Sequence, residues 1–242
     1  MIDQSQRVAA RVYAITSLLT LAILMFAFPR YFAPYLVWNN GEETARNIFA
    51  HEAAFRQYLT AAFVSGVGGI VVLVAQYVIL RPINRGMALF AALANLMYAG
   101  TWYAGILLQL LALRTMGSGG HPKALDPASA QAFAGLFLDS GWDAYYIGLP
   151  FLALGSAVFA WLFFRSQYVP RALALLGVVA AAFEGTCGFL YLLIPGYGNV
   201  ISPNWYEMPA MFFGLALSLW LLVRGLHPHE QKTAKAVMVA AV

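Results

Sequence analysis

Charge is what this chain has least of. Asp, Glu, Lys and Arg supply 10% of its residues, where an ordinary soluble domain carries about a quarter. The shortage runs from end to end, so no stretch reads as a water-soluble domain. Cysteine is nearly missing too. Cys187 stands alone, which excludes an intramolecular disulfide and any CxxC chemistry. The four histidines form neither HExxH nor HxxxH, so the zinc-hydrolase pattern is absent. No pair of histidines lies within the apolar runs to hold a haem. His51 and Glu52 are adjacent and point about 100° apart on a helix, a poor chelating geometry. There is no GxSxG for serine chemistry. Gly66-Val67-Gly68-Gly69 falls inside an apolar run and cannot cradle a phosphate. No cofactor and no metal site is expected.

What the chain has instead is apolar sequence. Hydrophobic residues make up 62% of its 242 positions, in runs near the roughly 20 residues that span a bilayer. The fold class expected is all-α: a polytopic membrane protein, a bundle of six transmembrane helices with both termini cytoplasmic. The six-helix domain takes residues 1–226, and 227–242 form a disordered cytoplasmic tail. The spans read as Val12 to Phe28, Asn47 to Leu80, Gly86 to Leu113, Ala132 to Phe164, Ala172 to Ile194, and Asn204 to Arg224. Asn39 to Arg46 reads as a polar loop. Arg114 to Ser129, rich in Gly, Pro and Ser, reads as a mobile one. Pro195 to Asn199 breaks the fifth helix, and Asn204 can cap the sixth. The exit of the first span, Phe26-Ala27-Phe28-Pro29-Arg30, offers no small-x-small cleavage site, so it reads as a retained anchor.

Basic residues set the orientation. Arg7, Arg11, Arg81, Arg85, Arg165, Arg171, Arg224, Lys232 and Lys235 fall on one side. Arg30, Arg46, Arg56, Arg114 and Lys123 fall on the other, which accounts for all 14. The positive-inside rule puts the larger set, and both termini, in the cytoplasm. The net charge of +4 is thus topological, and no nucleic-acid partner is expected. Membrane lipid is the expected partner. The oligomeric state is not legible.

A few polar groups interrupt this pattern. Glu52, Arg56, Asp139, Asp143 and Glu207 stand at the outer ends of their helices. Glu184 is mid-helix, roughly 20 Å from the cytoplasmic end at 1.5 Å per residue. Asp139 and Asp143 are four apart and share a helix face. A carboxylate in a first turn is explained by the helix dipole, which covers Glu52 and Glu207. It does not cover Glu184, whose burial in a membrane marks a site or an ion pair. Arg56 is the expected partner for one of the aspartates. Two readings stand: a structural knot joining helices two, four and five, and a polar pocket open to the outside. The pocket's walls would be aromatic, with Trp142 and Tyr146 foremost, beside Tyr145, Trp102, Tyr103, Trp205 and Tyr206. Such walls with few converging polar groups suit a small molecule or lipid headgroup. Ser65, Gly66, Gly68 and Gly69, midway along the second span, suit the close approach of a neighbouring helix.

Four stretches carry a family resemblance: NIFAHEAAFR at the second span, LRPINRGMAL from Leu80 to Leu89, FRSQYVPRALALLG from Phe164 to Gly177, and Glu207 followed by LWLLVRG from Leu219 to Gly225. Their order and spacing resemble a bacterial and archaeal membrane family, domain of unknown function 4386. The resemblance covers most of the chain and implies six helices in a bacterial inner membrane. It implies no activity, and no site residue is carried over from it. The surroundings of Trp142-Asp143 depart from its pattern, so a role for Asp143 would be particular to this chain. The function expected is binding of a small molecule, lipid headgroup or cation at Glu52, Arg56, Asp139, Asp143, Glu184, Glu207, Trp142 and Tyr146. The alternatives are a non-catalytic partner subunit and an enzyme acting on a lipid.

Overall fold

The computed structural model describes residues 2–38, 40–117, 126–194, 196–197 and 203–227. Among these residues lie seven α-helices: α1 (Gln4–Tyr31), α2 (Gly41–Ala50), α3 (Glu52–Leu80), α4 (Arg85–Thr115), α5 (Pro127–Ser166), α6 (Arg171–Leu193) and α7 (Pro203–Val223). A 3-10 turn, Ala33–Tyr35, follows α1. Six helices, all but α2, are long and apolar enough to cross a membrane. Local signals set several starts. Asp3 and Gln6 form a capping box on α1. Asn84 accepts from the Met87 amide to open α4. Asp126 accepts from the Ala128 and Ser129 amides, with Pro127 in the first helical position of α5. At the far end of α5 the chain turns through Gln167 in the left-handed region, φ 56°.

The six long helices close a ring. α3 packs on α4, α4 on α5, α5 on α6 and α6 on α7, while α1 joins α3 on one side and α7 on the other. Both described chain ends meet at one pole of this ring. Gln6 Nε2 donates to the Ile79 carbonyl at 2.8 Å and to the Tyr168 hydroxyl at 3.2 Å. The His227 amide donates to the Tyr168 carbonyl. The turns that carry Arg81 and Arg171 therefore share a pole with Arg7, Arg11 and Arg224. Leu19, Phe63, Leu93, Leu107, Leu154 and Val179 project outward as exposed apolar side chains, the surface a lipid environment accommodates.

The closest packing is between α4 and α5. Gly141, Gly148 and Gly155 recur every seven residues along α5. A Cβ on Gly155 would come within 2.7 Å of the Ala91 carbonyl oxygen. One on Gly148 would run into Thr101, and Gly141 lies against Gln109 and the Gly105 carbonyl. Lipid tails are as apolar as leucine, so helices in a membrane associate through such close contact rather than by escaping water.

The stretch from Asn39 to Arg46, expected as a loop, is largely helix. Asn40 accepts from the Glu43 amide, Glu42 and Glu43 occupy the positive end of α2, and Thr44, Ala45 and Ile48 are buried on one face. A short amphipathic helix has too few apolar residues to register as a span, which is why its charges read as a loop. α2 lies against α5, where Gly135 lets the backbone of Gly41 and Glu42 approach. The chain breaks at His51 (φ −127°, ψ 39°), so the second span starts at Glu52, not Asn47. The fourth begins at Pro127, not Ala132. Of the mobile loop expected from Arg114 to Ser129, Arg114 and Thr115 belong to α4 and Pro127 to Ser129 belong to α5, and the rest falls largely on 118–125. The tail falls on 228–242, and the break after α6 on 195 and 198–202. These, like the Asn204 side chain, lie outside the described residues.

Buried side chains form two main clusters, one toward each pole. The first includes Ala9, Tyr13, Ile79, Leu80, Phe159, Phe163 and Leu217. The second includes Phe32, Ile48, Phe55, Tyr58, Ile106 and Leu138. A smaller third holds Tyr146, Leu149, Cys187, Tyr197 and Tyr206. Between the two main clusters α5 keeps Gly148, Leu149 and Ala153 buried and α6 keeps Gly185 and Gly188 buried, while side chains do not fill the ring's centre.

Candidate functional site

A cavity of about 400 Å³ occupies the middle of the ring. All six long helices line it, and on each the lining residues sit between the packed clusters: Ser17 and Thr20 on α1, Ser65 and Gly69 on α3, Asn95 and Tyr98 on α4, Ser156 on α5, Glu184 on α6, Gly214 on α7. Most of its wall is apolar. A cavity of this size falls in the range that holds small molecules.

Glu184 is the residue that sets the chemistry. It is 4% exposed and, among the described residues, has neither a hydrogen-bond partner nor a counter-cation. Among the described residues no Lys or Arg lines the cavity. The surroundings of Glu184 follow from α6, where Ala180, Ala181, Gly185, Cys187 and Gly188 are buried. That small-residue face packs against Leu149, Pro150 and Ala153 of α5 and leaves the carboxyl at the cavity end farthest from Arg171. Two further polar atoms of the wall, Ser65 Oγ and Asn95 Oδ1, are buried without a partner among the described residues.

Glu207 of α7 lies close enough to interact electrostatically with Glu184. It is itself engaged: the Tyr145 hydroxyl of α5 donates to its Oε1. An aromatic layer surrounds this pair. Trp102 meets Tyr145 edge-on at 6.5 Å, and its indole N–H donates to the Ala62 carbonyl at 3.1 Å. Tyr145 stands 5.5 Å from Tyr146, and Tyr146 stacks flat on Tyr191 at 3.7 Å.

Beyond that layer is a second concavity, about 460 Å³, between α2, α5 and the end of α6. Asp139, Asp143, Trp142 and Tyr146 line it with Trp38 and Thr44. Both aspartates are exposed, and the Tyr191 hydroxyl donates to Asp143.

The six charged residues singled out in the sequence thus separate into three groups. Glu184 and Glu207 sit together inside the bundle. Asp139 and Asp143 share the outer cleft with Trp142 and Tyr146. Glu52 and Arg56 pair with each other at 2.6 Å on the surface of α3. Arg56 does not reach an aspartate: its side chain is exposed and meets the carboxylate one turn back. An exposed pair of this kind contributes about 0.3–0.5 kcal/mol. No knot of Arg56 with an aspartate joins helices two, four and five. His51 stacks on Tyr35 at 4.4 Å, away from the carboxylates. Among the described residues no three His, Cys, Asp or Glu side chains converge as metal ligands would.

Sequence reasoning singled out Glu184 but missed the cavity it faces. The signal was faint: Ser17, Thr20, Asn95 and Ser156 are isolated small polar residues on separate spans. Of the glycines expected to admit a neighbouring helix, Gly66 meets α4, at Tyr103 and Trp102, and Gly68 meets α1, at Thr20, whereas Gly69 meets nothing within 4 Å and borders the cavity.

Residues 12–225 match the family model described as Domain of unknown function (DUF4386). No curated protein and no solved structure matches the chain.

Proposed function

This chain belongs to the family described as domain of unknown function DUF4386, and from that footing we propose that it is a membrane-embedded binding protein of transport type, holding a small molecule in the cavity between its six long helices. The observation that carries this is Glu184. A carboxyl 4% exposed, with no partner among the described residues, borders a cavity to which every long helix contributes. A purely structural carboxylate in this setting would be held by an arginine or by backbone amides, since an uncompensated charge there costs several kcal/mol. The Glu52–Arg56 pair is the structural kind; Glu184 is not.

The outer cleft takes the role of a vestibule. Its aspartates and its wall of Trp38, Trp142 and Tyr146 suit a first encounter with a polar or headgroup-like ligand, and the aromatic layer with Glu207 separates it from the interior. The pole bearing Arg7, Arg11, Arg81, Arg171 and Arg224 faces the cytoplasm of a bacterial cell, by the positive-inside rule, which leaves the cleft on the outer side.

The test is a thermal-shift screen of metabolite and lipid-headgroup libraries on the purified protein. Glu184→Gln is expected to keep the wild-type melting temperature within a few degrees and to weaken the shift of the compounds that stabilise the wild type most. A screen whose strongest hits stabilise both proteins equally would contradict the proposal.

A further inference from the structure

We infer that the interior cavity takes an organic monocation, a protonated amine or quaternary ammonium on an apolar body, seated with its charge against Glu184. This rests on the reading of the cavity as a binding site and adds the chemical class of the ligand. Glu184 is the one carboxylic acid of the wall among the described residues, and the wall's other polar side chains, Gln76 and Asn95 among them, are neutral. Among the described residues no Lys or Arg lines the cavity. An anion would meet Glu184 with no cation among them to offset the repulsion, and Glu207 nearby adds to it. A neutral ligand would leave the carboxylate as unpaired as before. A cation supplies the missing partner, and its attraction to the carboxylate is greater inside the protein than in water, set against the cost of desolvating the ligand's charge.

The rest of the wall decides what kind of cation. A bare divalent ion takes six to eight oxygen ligands at about 2.3–2.6 Å, and no such set converges here. About 400 Å³ bounded mainly by Ala, Leu, Ile, Val, Met and Phe calls for an apolar body, not an ion with its water. Tyr98 and Trp102 line the same cavity, and their ring faces attract ammonium groups.

Three probes with one body and different heads separate the possibilities: 4-phenylbutylammonium, 4-phenylbutanol and 4-phenylbutyrate, titrated calorimetrically into the full chain in lipid nanodiscs. The ammonium is expected to bind saturably, at least ten-fold tighter than the alcohol, with no binding of the carboxylate. Glu184→Gln should keep the alcohol affinity and lose the ten-fold preference. Gly214 lines the cavity, and a Cβ there would meet nothing within 4 Å. Gly214→Leu should therefore fold and block both the ammonium and the alcohol by filling the space. Equal binding of ammonium and alcohol, or a preference that survives Glu184→Gln, overturns the cation assignment and leaves the cavity reading standing. Ammonium binding that Gly214→Leu does not weaken, or binding of none of the three probes, overturns both.

Discussion

Two carboxylates of one type behave differently here because of what surrounds them. Glu52 opens α3, reaches water and pairs with Arg56 one turn on. Glu184 stands among small residues on a helix face pressed against α5, and it forms no ion pair among the described residues. The difference was partly legible in the sequence, because a glutamate flanked by Phe183 and Gly185 in mid-span has no cap or dipole to explain it. The error about Arg56 came from treating shared depth as contact. A helix rotates about 100° per residue, so residues at one depth on three helices need not face one another. Asp126 was hidden in what reads as a loop, since its cap lies ahead of the apolar run. Asp126 holds the first amides of α5, and those hydrogen bonds lower its carboxyl below the usual value of 3.8. A depressed acid stabilises the folded state fully above its unfolded value and loses that contribution as pH falls through the folded one. Hydrogen-exchange protection at Ala128 and Ser129 should therefore fall when pH drops below about 4, and Asp126→Ala should show the same loss already at neutral pH. Protection that is flat with pH in the wild type would contradict the cap.

At the scale of elements, the pairing of α4 and α5 is the main joint of the ring, and glycine spacing creates it. Gly141, Gly148 and Gly155 repeat at seven residues, the interval that keeps a seam facing one partner along two helices. That pattern was in the sequence but hidden by composition, since the chain has 21 glycines and most obey no such interval. Positions that look alike in the sequence should respond in opposite directions. Gly155→Ala puts a methyl 2.7 Å from the Ala91 carbonyl oxygen, backbone that cannot move without separating the helices. Overpacking of this kind costs about 1–3 kcal/mol. Gly214→Ala meets open space and should gain up to about 1 kcal/mol of helix propensity. Denaturation midpoints in detergent would check the pair, and equal shifts would contradict the packing. α2 was missed for a related reason: its 10 residues carry a buried face too short to stand out against runs three times as long.

At the scale of the molecule, the number of spans and the basic pole were readable because they depend on composition alone. The cavity was not, because no single helix contains it. It exists only where α7 returns to α1 and closes the ring, and each helix contributes a few small or polar residues to it. The α4–α5 and α5–α6 joints stay tight through the middle, while the ring's centre leaves a space, an arrangement that costs packing contacts and that a ligand would offset. An experimental density map of the wild-type protein in lipid nanodiscs tests this most directly. It should show the six long helices enclosing a space bordered by Glu184, with density for a bound molecule against its carboxyl. A map in which side chains fill that space and Glu184 is paired with an arginine or lysine would contradict the account.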